Sequence, residues 1–309
     1  MSPELPTPSK RTVIVRTVSE VRAHLAATRR SGRRIGLVPT MGALHEGHLS
    51  LIRRARSQCD VVVVSLFVNP AQFNEASDLE RYPRDEARDL ELAQGAGADV
   101  LFAPSVHEVY PEGFSTSVEV IGISERLEGA ARGPEHFRGV STVVTKLLCM
   151  VMPDIAYFGS KDAQQVAVIR RLAQDLNLPV EICALPTVRE ADGLALSSRN
   201  LLLEGDERRR ALAVPAALGA AARLAAEGES SAAALLAAAS AALDRPGVET
   251  EYVALVDPES FDPVTALRAP ALLALAARVG SVRLIDNVML EPAAVAAAGA
   301  REEAVGCSA

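Results

Sequence analysis

Between Thr12 and Phe102, short apolar runs rich in β-branched residues alternate with stretches of helical period, and this rhythm restricts the fold more than any other feature. The expected strands are Thr12 to Val15, Ile35 to Val38, Val61 to Phe67 and Val100 to Phe102; the expected helices are Val18 to Thr28, His48 to Gln58 and Asp85 to Gly95. Strands separated by helices of this length cannot pair as hairpins, so the sheet they form is parallel and the class is α/β. A further strand is expected at Ile155 to Phe158. In open parallel sheets ligands bind beyond the carboxyl ends of the strands. The loops that matter therefore follow Phe67, where Asn69 and Gln72 lie, and Phe158, where Lys161 and Asp162 lie.

From about Asp206 the composition changes. Alanine becomes dense through Ala242, and strand-like runs follow at Tyr252 to Val256, Leu272 to Arg278 and Val282 to Asp286. The last two are joined by Val279, Gly280 and Ser281 in hairpin style. The expected division places residues 1–187 in a parallel-sheet domain and 188–309 in a smaller α+β domain, with the boundary near Pro186 to Val188 and a frayed tail after Glu291.

With 49% apolar and 23% charged residues in 309, the chain has the composition of a globular protein. The net charge is −7 and the basic residues are scattered, which argues against nucleic acid as a partner. The run from Val61 to Val68 is roughly half of what a membrane span needs, and the start of the chain, with Pro3, Pro6 and Pro8, lacks an apolar signal core. The expectation is a soluble, cytoplasmic protein without a membrane partner. The 4 cysteines, Cys59, Cys149, Cys183 and Cys307, form no CxxC pair. Only Lys10, Lys146 and Lys161 are lysines among 32 basic residues, so each marks a position where a compact ammonium is wanted.

Four segments carry candidate chemistry. Val38 to Ile52 runs from a strand end through Met41, Gly42, Ala43 and Leu44 to His45, Glu46, Gly47 and His48 at a helix start. Gly42 and Gly47 allow close backbone approach, the helix N-terminus favours anionic oxygens, and two histidines three apart share a helix side. A zinc site is an alternative, but the protease pattern needs histidines four apart and a third ligand; ordinary helix capping is the other. Phe158 to Gln165 offers Lys161 for phosphate and Asp162 for ribose hydroxyls, against an ordinary helix cap by Ser160 or Asp162. Pro186 to Asn200 presents Ser197, Ser198 and Arg199 as consecutive donors in a loop that could close over a triphosphate, against a polar hinge with a structural arginine. Asn69 to Phe73 adds neutral groups suited to a hydroxylated or carboxylated small molecule, or to a plain turn.

Taken together, Pro39-Thr40-Met41-Gly42 with His45-Glu46-Gly47-His48, Val68-Asn69-Pro70 with Gln72-Phe73, His136-Phe137-Arg138-Gly139-Val140, Phe158-Gly159 with Lys161-Asp162 and Gln164-Gln165, and Arg189-Glu190-Ala191-Asp192-Gly193 through Ser197-Ser198-Arg199-Asn200 resemble the pantothenate synthetase (pantoate–β-alanine ligase) family. The motifs occur in the family's order over roughly residues 12 to 290. The resemblance implies a Rossmann-like domain for ATP and pantoate, a C-terminal lid domain, and a homodimer. It implies an ATP-dependent ligase that joins pantoate to β-alanine through a pantoyl adenylate, with Mg2+ accompanying the nucleotide and held by phosphate oxygens and water.

Carried over residue by residue, Met41, Gly42, Ala43, Leu44, His45, Glu46, Gly47 and His48 are implied to bind ATP, with His48 in proton donation and His45 on phosphate. Gly159, Ser160, Lys161 and Asp162 correspond to a second ATP segment, Val188 to an adenine contact, and Leu196, Ser197, Ser198 and Arg199 to a mobile phosphate loop. The implied catalytic set is His45, His48, Lys161 and Arg199. Asn69, Gln72 and Gln165 are implied for pantoate, with Gln72 also meeting β-alanine. Ser160, Ala163 and Leu196 stand where the family usually has Glu, Tyr and Met, which bears on local packing and ATP affinity. His136 and Arg138 have two open readings, lining a β-alanine entrance or capping a helix. Three rival functions stay open at this level: a nucleotidyltransferase that keeps the nucleotide on its product, a silent nucleotide-binding regulator, and a zinc hydrolase.

Overall fold

The computed structural model describes residues 11–73 and 76–293, so the expectations for residues 1–10 and for the tail from residue 294 lie outside it. The described chain divides into two compact units. One holds the residues through Ser160 together with Gln164–Val188, and the other holds Lys161–Ala163 together with the residues from Arg189 onward.

The first unit runs β1 (Val13–Val15), α1 (Val18–Arg30), β2 (Ile35–Thr40), α2 (Glu46–Gln58), β3 (Val61–Leu66), α3 (Ala76–Arg81), α4 (Glu86–Ala96), β4 (Val100–Phe102), α5 (Val106–Val109), α6 (Glu128–Arg132), α7 (Pro134–Val151), β5 (Ile155–Gly159), α8 (Ala163–Asp175) and β6 (Glu181–Leu185). Its strands form one parallel sheet in the order β1-β4-β3-β2-β5-β6. The central strands are buried along nearly their whole length, as their continuous apolar runs require. The β2 and β3 ladder sets Ile35 opposite Val61 and continues in register to Thr40 opposite Leu66.

Local signals fix the helix ends. Thr17 and Glu20 make a capping box at the start of α1. Asp85 caps α4, which stops at Gly97 in the left-handed conformation, φ 101°. In this unit the expected strand and helix limits hold to within about two residues, the ordinary uncertainty of element ends, whereas in the second unit the strand expected from Tyr252 begins at Val248 and the one expected to end at Asp286 runs on to Leu290.

The second unit contains α9 (Asp206–Arg210), α10 (Ala213–Ala226), α11 (Ala232–Leu243) and an antiparallel sheet β7 (Val248–Val256), β8 (Ala271–Val279) and β9 (Val282–Leu290) in that order. Alanines on α10 and α11, among them Ala217, Ala221 and Ala239, pack without exposure beside Leu235, Leu273 and Leu275. Val279 pairs with Val282, so the expected hairpin turns on Gly280 and Ser281 alone. Lys161–Ala163 group with this unit.

Candidate functional site

Chain order along the sheet reverses between β2 and β5, the kind of switch point beyond which doubly wound sheets open a crevice. The segment leaving β2 makes two consecutive left-handed residues, Gly42 at φ 88° and Ala43 at φ 50°. Asp89 of α4 holds this turn: the backbone N–H groups of Ala43 and Leu44 donate to its Oδ2 and Oδ1 at 2.9 and 2.7 Å. The Asp89 side chain lies in the interior, with the residue 2% exposed. Burial pushes its carboxyl above the ordinary value of 3.8, and the two backbone donors oppose that rise. Nothing in the sequence marks Asp89, one of several charged residues on a short helix.

His45 is the N-cap of α2, and its ring lies 4.2 Å from that of His48, centroid to centroid. The spacing of three therefore brings the pair together, as expected. The Gly47 N–H points at Nδ1 of His45 at 3.2 Å, and the His45 N–H points at Nδ1 of His48 at 3.4 Å. A backbone N–H can only donate, so each Nδ1 accepts and each neutral ring carries its proton on Nε2. Capping and chemistry are thus one arrangement: the cap occupies Nδ1 and fixes the tautomer of the other nitrogen.

The loop after β3 turns through a short 3-10 segment, Pro70–Gln72. Asn69 is 1% exposed and its amide is fully engaged. It donates to Gln72 Oε1 at 3.1 Å and to the Gly139 carbonyl at 3.2 Å, and accepts from the Ala71 N–H at 3.3 Å and the Tyr110 hydroxyl at 2.8 Å. Desolvation pushes the Tyr110 hydroxyl up to about 12, which keeps it a donor. Gln72 then turns its Nε2 toward the Met41 sulfur at 3.2 Å, so the Val38–Ile52 and Asn69–Phe73 segments meet.

The His136 motif supports that turn from α7. His136 is buried, with Nε2 3.1 Å from Arg132 Nη1 and Nδ1 3.1 Å from the Gln72 carbonyl oxygen. Arginine cannot accept, so Nε2 accepts and Nδ1 donates to the carbonyl. At Gly139 an added Cβ would fall 2.2 Å from the Ala71 carbonyl oxygen, so only glycine lets α7 approach this closely. His136 braces the Gln72 turn, which neither open reading anticipated; Arg138 pairs with Glu135 at the exposed start of the helix.

At the end of β5, Gly159 and the following Ser160 are half-buried and lead toward two glutamines with different fates. Gln164 is buried and structural: it donates to the carbonyls of Ile123 and Arg126 at 2.8 and 2.7 Å and accepts from the Glu128 N–H at 3.0 Å. Gln165, the implied pantoate ligand, is half-buried and makes no side-chain hydrogen bond among the described residues.

In the second unit, Lys161 is half-buried, Asp162 is exposed, and the Lys161 carbonyl accepts from Asn287 Nδ2 at 2.8 Å. Val188 closes the first unit, and the segment that follows is tied down by charge. Arg189 meets Asp286 through both Nη atoms, at 2.6 and 3.0 Å, with the Asp286 side chain 0% exposed. Asn200 donates to Glu190 Oε1 at 2.8 Å, and Arg208 meets Glu190 and Asp192 at 2.8 and 2.7 Å. Leu196, Ser197, Ser198 and Arg199 are half-buried within this folded segment, and Ser197 caps the 3-10 turn Ser198–Leu202 by accepting from the Arg199 N–H at 3.3 Å. Among the described residues no group of three His, Cys, Asp or Glu side chains is placed to hold a metal ion, so the zinc alternative finds no third ligand.

A histidine pair at a helix start beyond the switch point of a parallel sheet is an arrangement found in the nucleotide-binding α/β class. The family model described as pantoate-beta-alanine ligase matches residues 13–289, and the pantothenate synthetase of Moorella thermoacetica is 53% identical over 279 residues, 90% of this chain and 98% of that protein. The chain belongs to the pantoate-beta-alanine ligase family, whose function is the ATP-dependent condensation that forms pantothenate. Solved structures agree. The pantothenate synthetase of Thermus thermophilus is 48% identical with a TM-score of 0.86, covering 91% of this chain and 100% of that one. The pantoate-beta-alanine ligase of Francisella tularensis, complexed with beta-gamma ATP and beta-alanine, is 34% identical with a TM-score of 0.75, covering 90% and 97%.

Proposed function

We propose that this chain joins pantoate to β-alanine with ATP through a pantoyl adenylate, and that the residues named from the motifs carry the roles the family resemblance implies. In the first half a pantoate carboxylate oxygen bonds to the α-phosphorus while the bond from that phosphorus to the bridging oxygen breaks and pyrophosphate leaves. The nucleophile is already an anion, so what the protein must supply is stabilisation of charge on the phosphates. His45 and His48 offer Nε2–H donors, Lys161 and Arg199 offer cationic ones, and Met41 to Leu44 line the nucleotide as a turn whose shape is held by the Asp89 carboxylate. His48 donates its Nε2–H as a hydrogen bond to the developing charge, the form its proton-donating role takes in a neutral ring.

In the second half the neutral amine of β-alanine bonds to the acyl carbon, the carbon–oxygen bond to phosphate breaks, AMP leaves, and the amine passes one proton to water. The adenylate must be kept from water, a task assigned to the segment Ser197 to Arg199. Gln165 holds pantoate. Gln72 meets pantoate and β-alanine, and Asn69, which donates to the Gln72 amide oxygen, stands with it on the pantoate side. Gly159, Ser160 and Asp162 line the ATP segment and Val188 meets adenine.

Mg2+ keeps several waters and is commonly held through substrate phosphates, and the donor set here suits that arrangement, with no protein cage needed; bound there it would neutralise phosphate charge. The proposal includes the division into a nucleotide-binding domain of residues 1–187 and a C-terminal lid of 188–309, a homodimer, and a cytoplasmic location, all supported by the family resemblance. No described helix is long and apolar enough to cross a membrane.

The observation that carries this reading is the His45 and His48 pair, whose Nδ1 atoms both accept from backbone N–H groups. The test is exchange of labelled pyrophosphate into ATP with β-alanine omitted. Exchange that requires pantoate is expected. ATP binding without exchange would sink the ligase mechanism and favour a silent regulator.

A further inference from the structure

We propose that Asn287 is a positioning residue for Lys161, holding the lysine's main chain so that its ammonium reaches one place. The inference rests on the reading of Lys161 as a phosphate ligand. The contact itself is direct, from Asn287 Nδ2 to the Lys161 carbonyl oxygen at 2.8 Å. A carbonyl only accepts, so the amide must present its NH2 here, and this fixes the orientation of the side chain. A lysine ammonium sits on a flexible four-carbon stem and makes no planar fork, so where it can act is set chiefly by where its backbone is held.

Asn287 is itself rigidly placed. Its backbone lies in β9 opposite Ala274 of β8, its N–H donates to Asp286 Oδ1 at 2.8 Å, and its carbonyl accepts from Arg189 Nη2 at 3.3 Å. The preceding residue, Asp286, is the buried partner of Arg189. Two consecutive residues of one strand therefore grip both cationic segments: Asp286 anchors the root of the stretch that ends in Arg199, and Asn287 anchors Lys161. This also accounts for Lys161–Ala163 belonging with the C-terminal unit although the chain reaches them from β5. The two cations share one framework, and Asn287 is the joint that brings Lys161 into it.

The test is a double-mutant cycle on the full chain, read as pantoate-dependent pyrophosphate exchange. Asn287→Ala should cut exchange by about tenfold, the scale of one lost hydrogen bond with good geometry, and raise the KM for ATP while leaving that for pantoate unchanged. Asn287→Asp keeps the shape but sets a carboxylate against the Lys161 carbonyl, and should lose at least as much; it serves if the alanine variant does not fold. Because Asn287 acts through Lys161, Asn287→Ala combined with Lys161→Ala should be no slower than Lys161→Ala alone. Losses that multiply in the double variant, or wild-type exchange in both Asn287 variants, would overturn the proposal. Full exchange in Lys161→Ala by itself would instead remove the role of the lysine, and the inference with it.

Discussion

The Nδ1 of His136 donates to the main-chain carbonyl of Gln72 across 3.1 Å, although 64 positions separate the two residues. Through this bond, and through the Asn69 amide that reaches the Gly139 carbonyl, α7 acts as the mould for the turn that presents Gln72. A buried histidine whose two nitrogens are both assigned by partners that cannot switch roles is a brace, and the activity predicted to depend on it is substrate placement.

His136→Ala should therefore raise the KM for pantoate by about tenfold, one hydrogen bond's worth, while the KM for ATP stays near the wild-type value. Steady-state kinetics with each substrate varied in turn would show the split. An equal change in both constants would mean that the brace serves the whole unit and not the Gln72 turn.

His48→Ala and Lys161→Ala remove donors proposed to meet developing phosphate charge. Each should slow pyrophosphate exchange by roughly a hundred- to a thousandfold, the usual cost of one such donor, with thermal unfolding close to that of the parent protein. Wild-type exchange in either variant contradicts the role given to that residue.

The adjacent glutamines should part company. Gln164→Ala strands the carbonyls of Ile123 and Arg126 and the Glu128 N–H, and is expected to lower unfolding stability by at least about 2 kcal/mol. Gln165→Ala should change stability by less than about 0.5 kcal/mol and weaken pantoate use instead. Urea unfolding and pantoate titration on the same two variants decide it, and a reversed pattern would exchange the roles.

Asp89 supplies a pH dependence with a definite sign. Burial is the largest influence on it and raises its carboxyl above the ordinary 3.8, so the folded chain binds this proton more tightly than the unfolded chain does. Its contribution to stability is fullest below pH 3.8 and declines as pH rises through the raised value. In Asp89→Asn that decline disappears. The amide accepts only one of the two backbone bonds to Ala43 and Leu44, so exchange should also fall. Unfolding measured from about pH 4 to pH 7 in both proteins checks the slope, and identical slopes would show that Asp89 does not titrate in this range.

Much of the frame was readable along the chain because its determinants are local. β-Branched runs and helical period give the parallel strands and their crossovers, and Gly280-Ser281 closes the β8 and β9 hairpin that the pattern around it predicts. A spacing of three on one helix suffices to bring His45 and His48 within 4.2 Å. The segments around His45, Asn69 and Lys161 likewise follow strand ends, where a turn needs a glycine or a capping side chain that the sequence displays.

Other assignments had no local signature. Gln164 and Gln165 are chemically identical neighbours on one helix, and only the packing of residues 123–128 against one of them separates a structural amide from an available one. Asp89 and His136 act on segments 46 and 64 positions away, and Asn287 on one 126 away.

The elements, the parallel sheet and the residue types at its carboxyl edge follow from local pattern, because propensity, period and capping operate within a few residues. Tertiary packing set the tautomer of His136, which amide is already engaged, and which strand holds Lys161 in place. Those outcomes depend on single donors and acceptors meeting at about 3 Å, and such meetings are fixed by how separate elements pack rather than by the order of residues within any one of them.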